Sequence, residues 1–259
     1  MAEVPFRAGG FVPRAIPFAG AATLVALLLA WQGAASAGWI GTRFLPPPLA
    51  ILKALGTLAA SGELWAHLAA SLQRFAIGWA VGTAAGLLVG FAAGLFTLAR
   101  APGLAVVYAL FPIPKIALVP LFIIWFGIGE GSKVVTLAFG VFFPTVINTV
   151  AGVDGVPRSL IRMGQSFGLS WWAIVRKIVL PGALPAILSG FRITTSTAII
   201  LLVAAEMIGA DKGIGSFVLQ AGNLYDTEAL MAGIVLLSLL GLAVSWLIGR
   251  VERVVLAWR

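Results

Sequence analysis

The chain has 259 residues, 61% of them hydrophobic and only 10% charged, with 17 Lys and Arg against 9 Asp and Glu for a formal net charge of +8. Such a composition is too apolar for a soluble domain and fits a single polytopic helical membrane domain over residues 1–259. The positive charge is scattered among apolar segments, which argues against nucleic-acid binding, and the lack of cysteine removes disulfides and thiolate metal sites.

Residues 1–14 hold Arg7 and Arg14 among Pro and Gly, and Ile16 to Trp31 form a first apolar run, read as the first transmembrane helix. A cleaved signal peptide is the alternative, since Ala35-Ser36-Ala37 fits a small-residue cleavage site; either way the chain emerges on the outer side. Residues 38–70 contain the break Pro46-Pro47-Pro48 and then an amphipathic stretch with Lys53, Glu63 and His67, read as an outer-surface segment rather than a span. His67 is the only histidine. It lies among Leu64, Trp65 and Leu68 with no second histidine to share a metal, and is expected to be interfacial. As the sole available base it is badly placed to activate Ser132 or Ser189, so no enzymatic activity, cofactor or metal is expected.

From Leu72 to Leu98 runs a second span with Gly78, Gly82, Gly86, Gly90 and Gly94 at a strict interval of four, which predicts a seam for close helix packing rather than a pore lining. Arg100 and Pro102 mark an inner turn. The third apolar segment, to Phe126, is broken by Pro112, Pro114 and Pro120 with Lys115 between them, and a broken helix in a bilayer must have its freed carbonyls met by protein or a hydrated cavity. The turn 127–133 faces outward, and Val134 to Val153 is a fourth span containing Pro144 and Asn148.

The stretch 157–181 carries Arg158, Arg162, Arg176 and Lys177 between two long apolar blocks, which keeps it out of hydrocarbon and at a membrane surface. Leu160, Met163, Gly164 and Phe167 fall on one helical face; Gly168 suits a left-handed stop, Ser170 a helix cap, and a second short helix is expected to end before Pro181. Leu184 to Ala205 is a fifth span with Arg192 near its inner end, Thr194, Thr195, Ser196 and Thr197 above it, and Glu206 closing it. An outer segment, 207–228, precedes the sixth span, Ala229 to Ile248, and Arg250, Arg253 and Arg259 follow. Most basic residues fall on one side and most acids on the other, so the positive-inside rule puts both termini and the 157–181 element in the cytoplasm.

Gly168, Ile178, Leu180 and Pro181 stand at the spacing of the cytoplasmic EAA loop, EAA-x3-G-x9-I-x-LP, and the chain here resembles the membrane subunits of ATP-binding-cassette importers. PIPKIALVPLFIIWFGIGEGSK, FFPTVINTVAGV and VAAEMIGADKGIG look like the nitrate/sulfonate/taurine/bicarbonate branch. The resemblance implies an all-α type I importer permease fold of about six spans in a bacterial inner membrane. It also implies two permease copies, expected to be identical, two ATPase subunits and an external solute-binding protein. Working by alternating access, such a permease takes its energy through the EAA loop, here Leu160, Arg162, Met163, Gly164, Phe167, Gly168, Ile178, Leu180 and Pro181. The Glu-Ala-Ala positions hold Arg162, Met163 and Gly164, which puts the loop's polar contacts to the ATPase in question. Lys115, Asn148, Arg192, Thr195 and Glu206 are the candidates for the path of a small anion. For Lys115 a structural role, bonding carbonyls at the proline breaks, stands beside the substrate role. For Arg192 snorkelling, and for Glu206 a helix-end charge, are the bland alternatives. A permease for another small solute and an autonomous secondary transporter are the competing functions.

Overall fold

The computed structural model describes residues 18–258. Arg7, Arg14, the start of the first span at Ile16, and Arg259 lie outside the described residues. Eleven α-helices follow one another there: α1 (Ala19–Ser36), α2 (Pro48–Ser61), α3 (Glu63–Leu95), α4 (Thr97–Leu110), α5 (Val119–Phe126), α6 (Glu130–Asp154), α7 (Arg158–Ser166), α8 (Trp171–Ile174), α9 (Leu180–Gly209), α10 (Ile214–Asn223) and α11 (Thr227–Val255). Five helical stretches, α1, α3, α6, Trp171–Gly209 and α11, are long and apolar enough to cross a bilayer, and the pair Thr97–Leu110 and Lys115–Phe126, bent by 87° at its proline break, brings the count to six when taken as one span. The all-α, six-span expectation holds.

Several boundaries differ from those read in the sequence. α2 opens on Pro48 in the first helical turn and stops at Gly62 (φ +83), and the next helix begins at once. Residues 63–70 are therefore the first turns of the second span rather than part of a surface segment. At the other end α3 stops at Leu95, and the turn is the single extended residue Phe96 (φ −118, ψ 122), so Arg100 and Pro102 lie inside α4. Glu130 already belongs to α6, which shortens the outer turn to Gly127–Gly129.

The second surface helix does not end before Pro181. Residues 175–179 widen into a π-turn, and the helix runs on through Pro181 and Pro185 to Gly209. The carbonyl that Pro181 cannot bond, four residues back at Lys177, falls inside this widened turn, which is where a helix can accommodate a missing donor.

α6 is the central helix. The glycine row of α3 lies along it, and the pairing advances in the same direction on both helices, so they run parallel: Gly78 meets Leu137, Gly86 Thr145, Gly90 Thr149 and Gly94 Val153. A Cβ on Gly86 or Gly90 would stand 2.6 Å from the Cβ of its threonine, closer than two side chains approach. Thr145 and Thr149 donate back to the carbonyls of Val141 and Thr145 at 2.8 and 2.7 Å, so they bring no unmet hydroxyl to the seam. α9 packs antiparallel on another face of α6, with Gly152 against Ala183 and Gly190 against Asn148. Phe75, Leu137, Val141, Ala198 and Leu202 form the core where α3, α6 and α9 meet, and Ala93, Val107, Phe143, Val146 and Val150 bind the broken span to α6.

Candidate functional site

Candidate residues gather in three places along the spans. The inner end holds the surface element. α7 ends in a Schellman stop: Leu169 N–H donates to Gly164 O at 3.0 Å, Gly168 N–H donates to Gln165 O at 2.9 Å, and Gly168 takes φ +71. Ser170 then caps α8, its Oγ accepting from Ala173 N at 3.3 Å. The inward face of α7 is Ile161 and Gly164; of the apolar face read from sequence only Gly164 turns inward. A Cβ on Gly164 would meet Ile178 at 2.8 Å and Ile174 at 3.4 Å, so its absence lets α7 sit on the π-turn. Val156, Ile174 and Val179 close this small core with Leu95, Val153, Ile161, Leu169 and Ile178. Leu160, Met163 and Phe167 are left outside, 42%, 49% and 78% exposed, and Arg162 stands exposed among them. Leu180 and Pro181 are half-buried where the element joins α9. Arg100 grips Asp154 with both terminal nitrogens, at 2.9 and 2.6 Å, tying α4 to α6 beside an open cleft of about 740 Å³.

The second place is the break in the third span. Lys115 opens a single 3-10 turn, Lys115–Leu118; its ammonium donates to Phe111 O and lies 4.7 Å from the centre of the Phe111 ring and 5.6 Å from that of Phe143. The break thus supplies the lysine with an acceptor and an aromatic face. Asn148, on α6, donates to Pro144 O at 2.7 Å and packs on Gly190. Thr195 is buried on α9 and donates to Phe191 O at 2.7 Å, while Arg192 is not brought to the break: it pairs with Glu252 of α11 at 2.5 Å in a separate cleft with Trp246, Gly249 and Arg253.

At the outer end lies a network built around Arg74. Nη1 donates to Glu206 Oε1 at 2.8 Å, and Nε and Nη2 donate to the two oxygens of Glu130 at 2.6 and 2.7 Å. Glu206 has no exposed surface. Its carboxylate also accepts from Ser71 Oγ at 2.7 Å and from Gly215 N at 2.8 Å, and Ser71 Oγ accepts from Ile214 N at 2.8 Å. Gly213 N–H donates to His67 Nδ1 at 3.0 Å, and His67, expected at an interface, is 8% exposed. Gly213 has φ +143, and a Cβ there would stand 2.5 Å from the Glu206 carboxyl carbon and 2.7 Å from Arg74 Nη1, so only glycine fits. The network thereby fastens the 210–213 loop to the ends of α3 and α9. Over it opens a pocket of about 740 Å³ lined by Arg74, Glu130, Lys133 and residues 207–212.

Sequence reasoning passed over Arg74. The available signal was a lone arginine within an apolar span, in SLQRF, which calls for a buried partner. The partner itself, 132 residues away, could not be read from the sequence.

Residues 82–256 match the family described as binding-protein-dependent transport system inner membrane component. The chain is 38% identical to the permease SsuC of Escherichia coli strain K12, named for aliphatic sulfonate transport, over 90% of this chain and 89% of that one. It is 36% identical to the taurine transport system permease protein TauC of the same strain, over 91% and 88%. Among solved structures, an inward-facing conformation of the MetNI methionine ABC transporter superposes with a TM-score of 0.59 at 25% identity, over 74% of this chain and 94% of that one.

Proposed function

The chain belongs to the family of binding-protein-dependent transport system inner membrane components, the permeases of ATP-binding-cassette importers, and from that premise we propose that it forms the path by which a small sulfonate enters the cell. Membership implies ATPase subunits and a solute-binding protein as partners. The permease itself has no enzymatic role. A single domain over residues 1–259, embedded in the bilayer and paired with an identical copy, carries the path.

The observation that carries this reading is the inner surface element. Leu160, Met163 and Phe167 form an apolar face that the described residues leave uncovered, at the edge of a helix with only nine residues. A face of that kind on a short surface helix calls for a groove on a partner, and the ATPase is the partner the family provides. Gly164, Gly168, Ile178, Leu180 and Pro181 hold the element rigid, and Arg162 sets the charge it presents. The helix Trp171–Gly209 then continues unbroken for 39 residues, about 50 Å from the element to Glu206 at 1.5 Å per residue. Closure of the ATPases moves this lever, and α9 carries the motion to α6 and α3, giving alternating access. The basic inner side, with Arg100, Arg158, Arg162, Arg176, Lys177, Arg250 and Arg253, faces the cytoplasm of a bacterial inner membrane, with both termini.

The sulfonate class follows from the names of the two relatives and from the cations near the path. Lys115 attracts the anion at the break, its ammonium keeping donors beyond the one given to Phe111 O. Asn148, Thr195, Arg192 and Glu206 are proposed to line or support the route. The test is uptake of labelled taurine, an alkanesulfonate, nitrate and bicarbonate into proteoliposomes holding the permease, its ATPase and its binding protein. ATP-dependent uptake of a sulfonate that requires all three components is expected. Uptake by the permease alone, or of uncharged solutes only, would refute the reading.

A further inference from the structure

Arg74 has two carboxylate partners of opposite character. Glu206 lies beneath it, sealed from solvent and held by Ser71 and Gly215. Glu130 reaches it from the pocket side with a side chain 65% exposed, and covers the whole Nε–Nη2 edge of the guanidinium. One turn further along α6, the buried Lys133 holds its ammonium 3.9 Å from the same carboxylate, with Gly129 O as its close acceptor at 3.0 Å. Two cations and two carboxylates thus balance.

Withdrawing Glu130 would leave one net positive charge on the pocket floor, with a planar fork of donors unmet and the buried Lys133 ammonium held by Gly129 O alone. Such groups are costly without an anion. A sulfonate or carboxylate has the geometry to restore them: two oxygens match the guanidinium edge, and the third oxygen of a sulfonate is free for Lys133. Glu130 is also placed to leave. It is the first residue of α6, follows the turn Gly127–Gly129, and faces an open pocket of about 740 Å³, ample for a small solute. Asp211 and Lys212 on the rim carry opposite charges, so the sign of the field is set by the floor.

We propose that Arg74 and Lys133 form an anion-binding seat at the outer mouth, filled at rest by Glu130 as an internal surrogate and taken over by the incoming solute. The proposal rests on the anion-import reading. The exchange frees the α5–α6 turn from α3, so that arrival of a solute shifts the outer end between two arrangements by its differential affinity for them.

The test titrates the full chain in lipid nanodiscs, by calorimetry, with methanesulfonate, acetate and the uncharged dimethyl sulfone. Glu130→Gln should tighten methanesulfonate and acetate at least tenfold over the unsubstituted chain and leave dimethyl sulfone unchanged. Adding Lys133→Met should abolish the gain. If Glu130→Gln lowers the unfolding temperature, Glu130→Asp, whose shorter arm fits the seat poorly, should still show part of the gain. No gain in either variant, or a gain indifferent to Lys133, would overturn the seat. A chain that imports a sulfonate in proteoliposomes yet shows no gain loses the seat alone; one that shows the gain yet imports no anion loses the import reading alone.

Discussion

Replacing Arg74 by methionine removes the cation from a carboxylate that has no exposed surface. Glu206 keeps its bonds from Ser71 and Gly215, but two neutral donors do not offset a buried charge, and removing one partner of a buried ion pair costs about 3–5 kcal/mol. At about 2–4 °C per kcal/mol for a chain approaching this size, the unfolding temperature should fall by roughly 6–20 °C. The contact between Arg74 and Glu130 adds little to this sum, because Glu130 is largely exposed and can turn to water. The assay is thermal unfolding of the full chain in nanodiscs, followed by tryptophan fluorescence. Glu206→Gln in the Arg74→Met background removes the stranded charge while keeping the carboxyl shape, and should recover most of the loss, a coupling that a double-mutant cycle reads directly. Additive losses in the double variant, or an unfolding temperature unmoved by Arg74→Met, would refute the reasoning.

Gly168→Val should lower solute-stimulated ATP hydrolysis and uptake together. Open space surrounds the glycine, so the effect comes from its positive φ alone, a strain of about 1–2 kcal/mol that is relieved by misplacing α7; normal coupling in vesicles would sink the assignment. Arg162→Glu reverses a fully presented charge on α7 and should weaken assembly with this permease's own ATPase, most strongly at low salt; co-purification unchanged across a salt series would count against it. Lys115→Gln should reduce anion uptake while the assembled complex stays intact; loss of assembly with normal transport by the surviving complexes would mean that its bond to Phe111 O is the lysine's whole purpose.

The sequence by itself determined the class of this protein and its periodic features. Hydropathy set the number of spans, since a span needs about 20 apolar residues whatever packs around it. The glycine interval of four announced a packing seam on α3, because residues at that spacing share a helix face, though not that α6 fills it. Gly168 was legible as a turn for a local reason: positive φ is cheap only without a Cβ. What tertiary structure decided was mostly non-local. Gly164 reads as part of the apolar face of α7, yet it turns inward because Ile178, on a different helix, leaves no room for a Cβ. Pro181 reads as a stop, and the π-turn before it makes it a passage. Glu206 reads as a charge closing the fifth span, and His67 as an interfacial ring. Glu206 is buried because Arg74 and Ser71, 132 and 135 residues away, converge on it, and His67 because the Gly213 loop, 146 residues away, closes over it. A buried charge is stable only where its partners meet it, and which partners do so depends on how the helices are assembled rather than on the residues beside it in the chain.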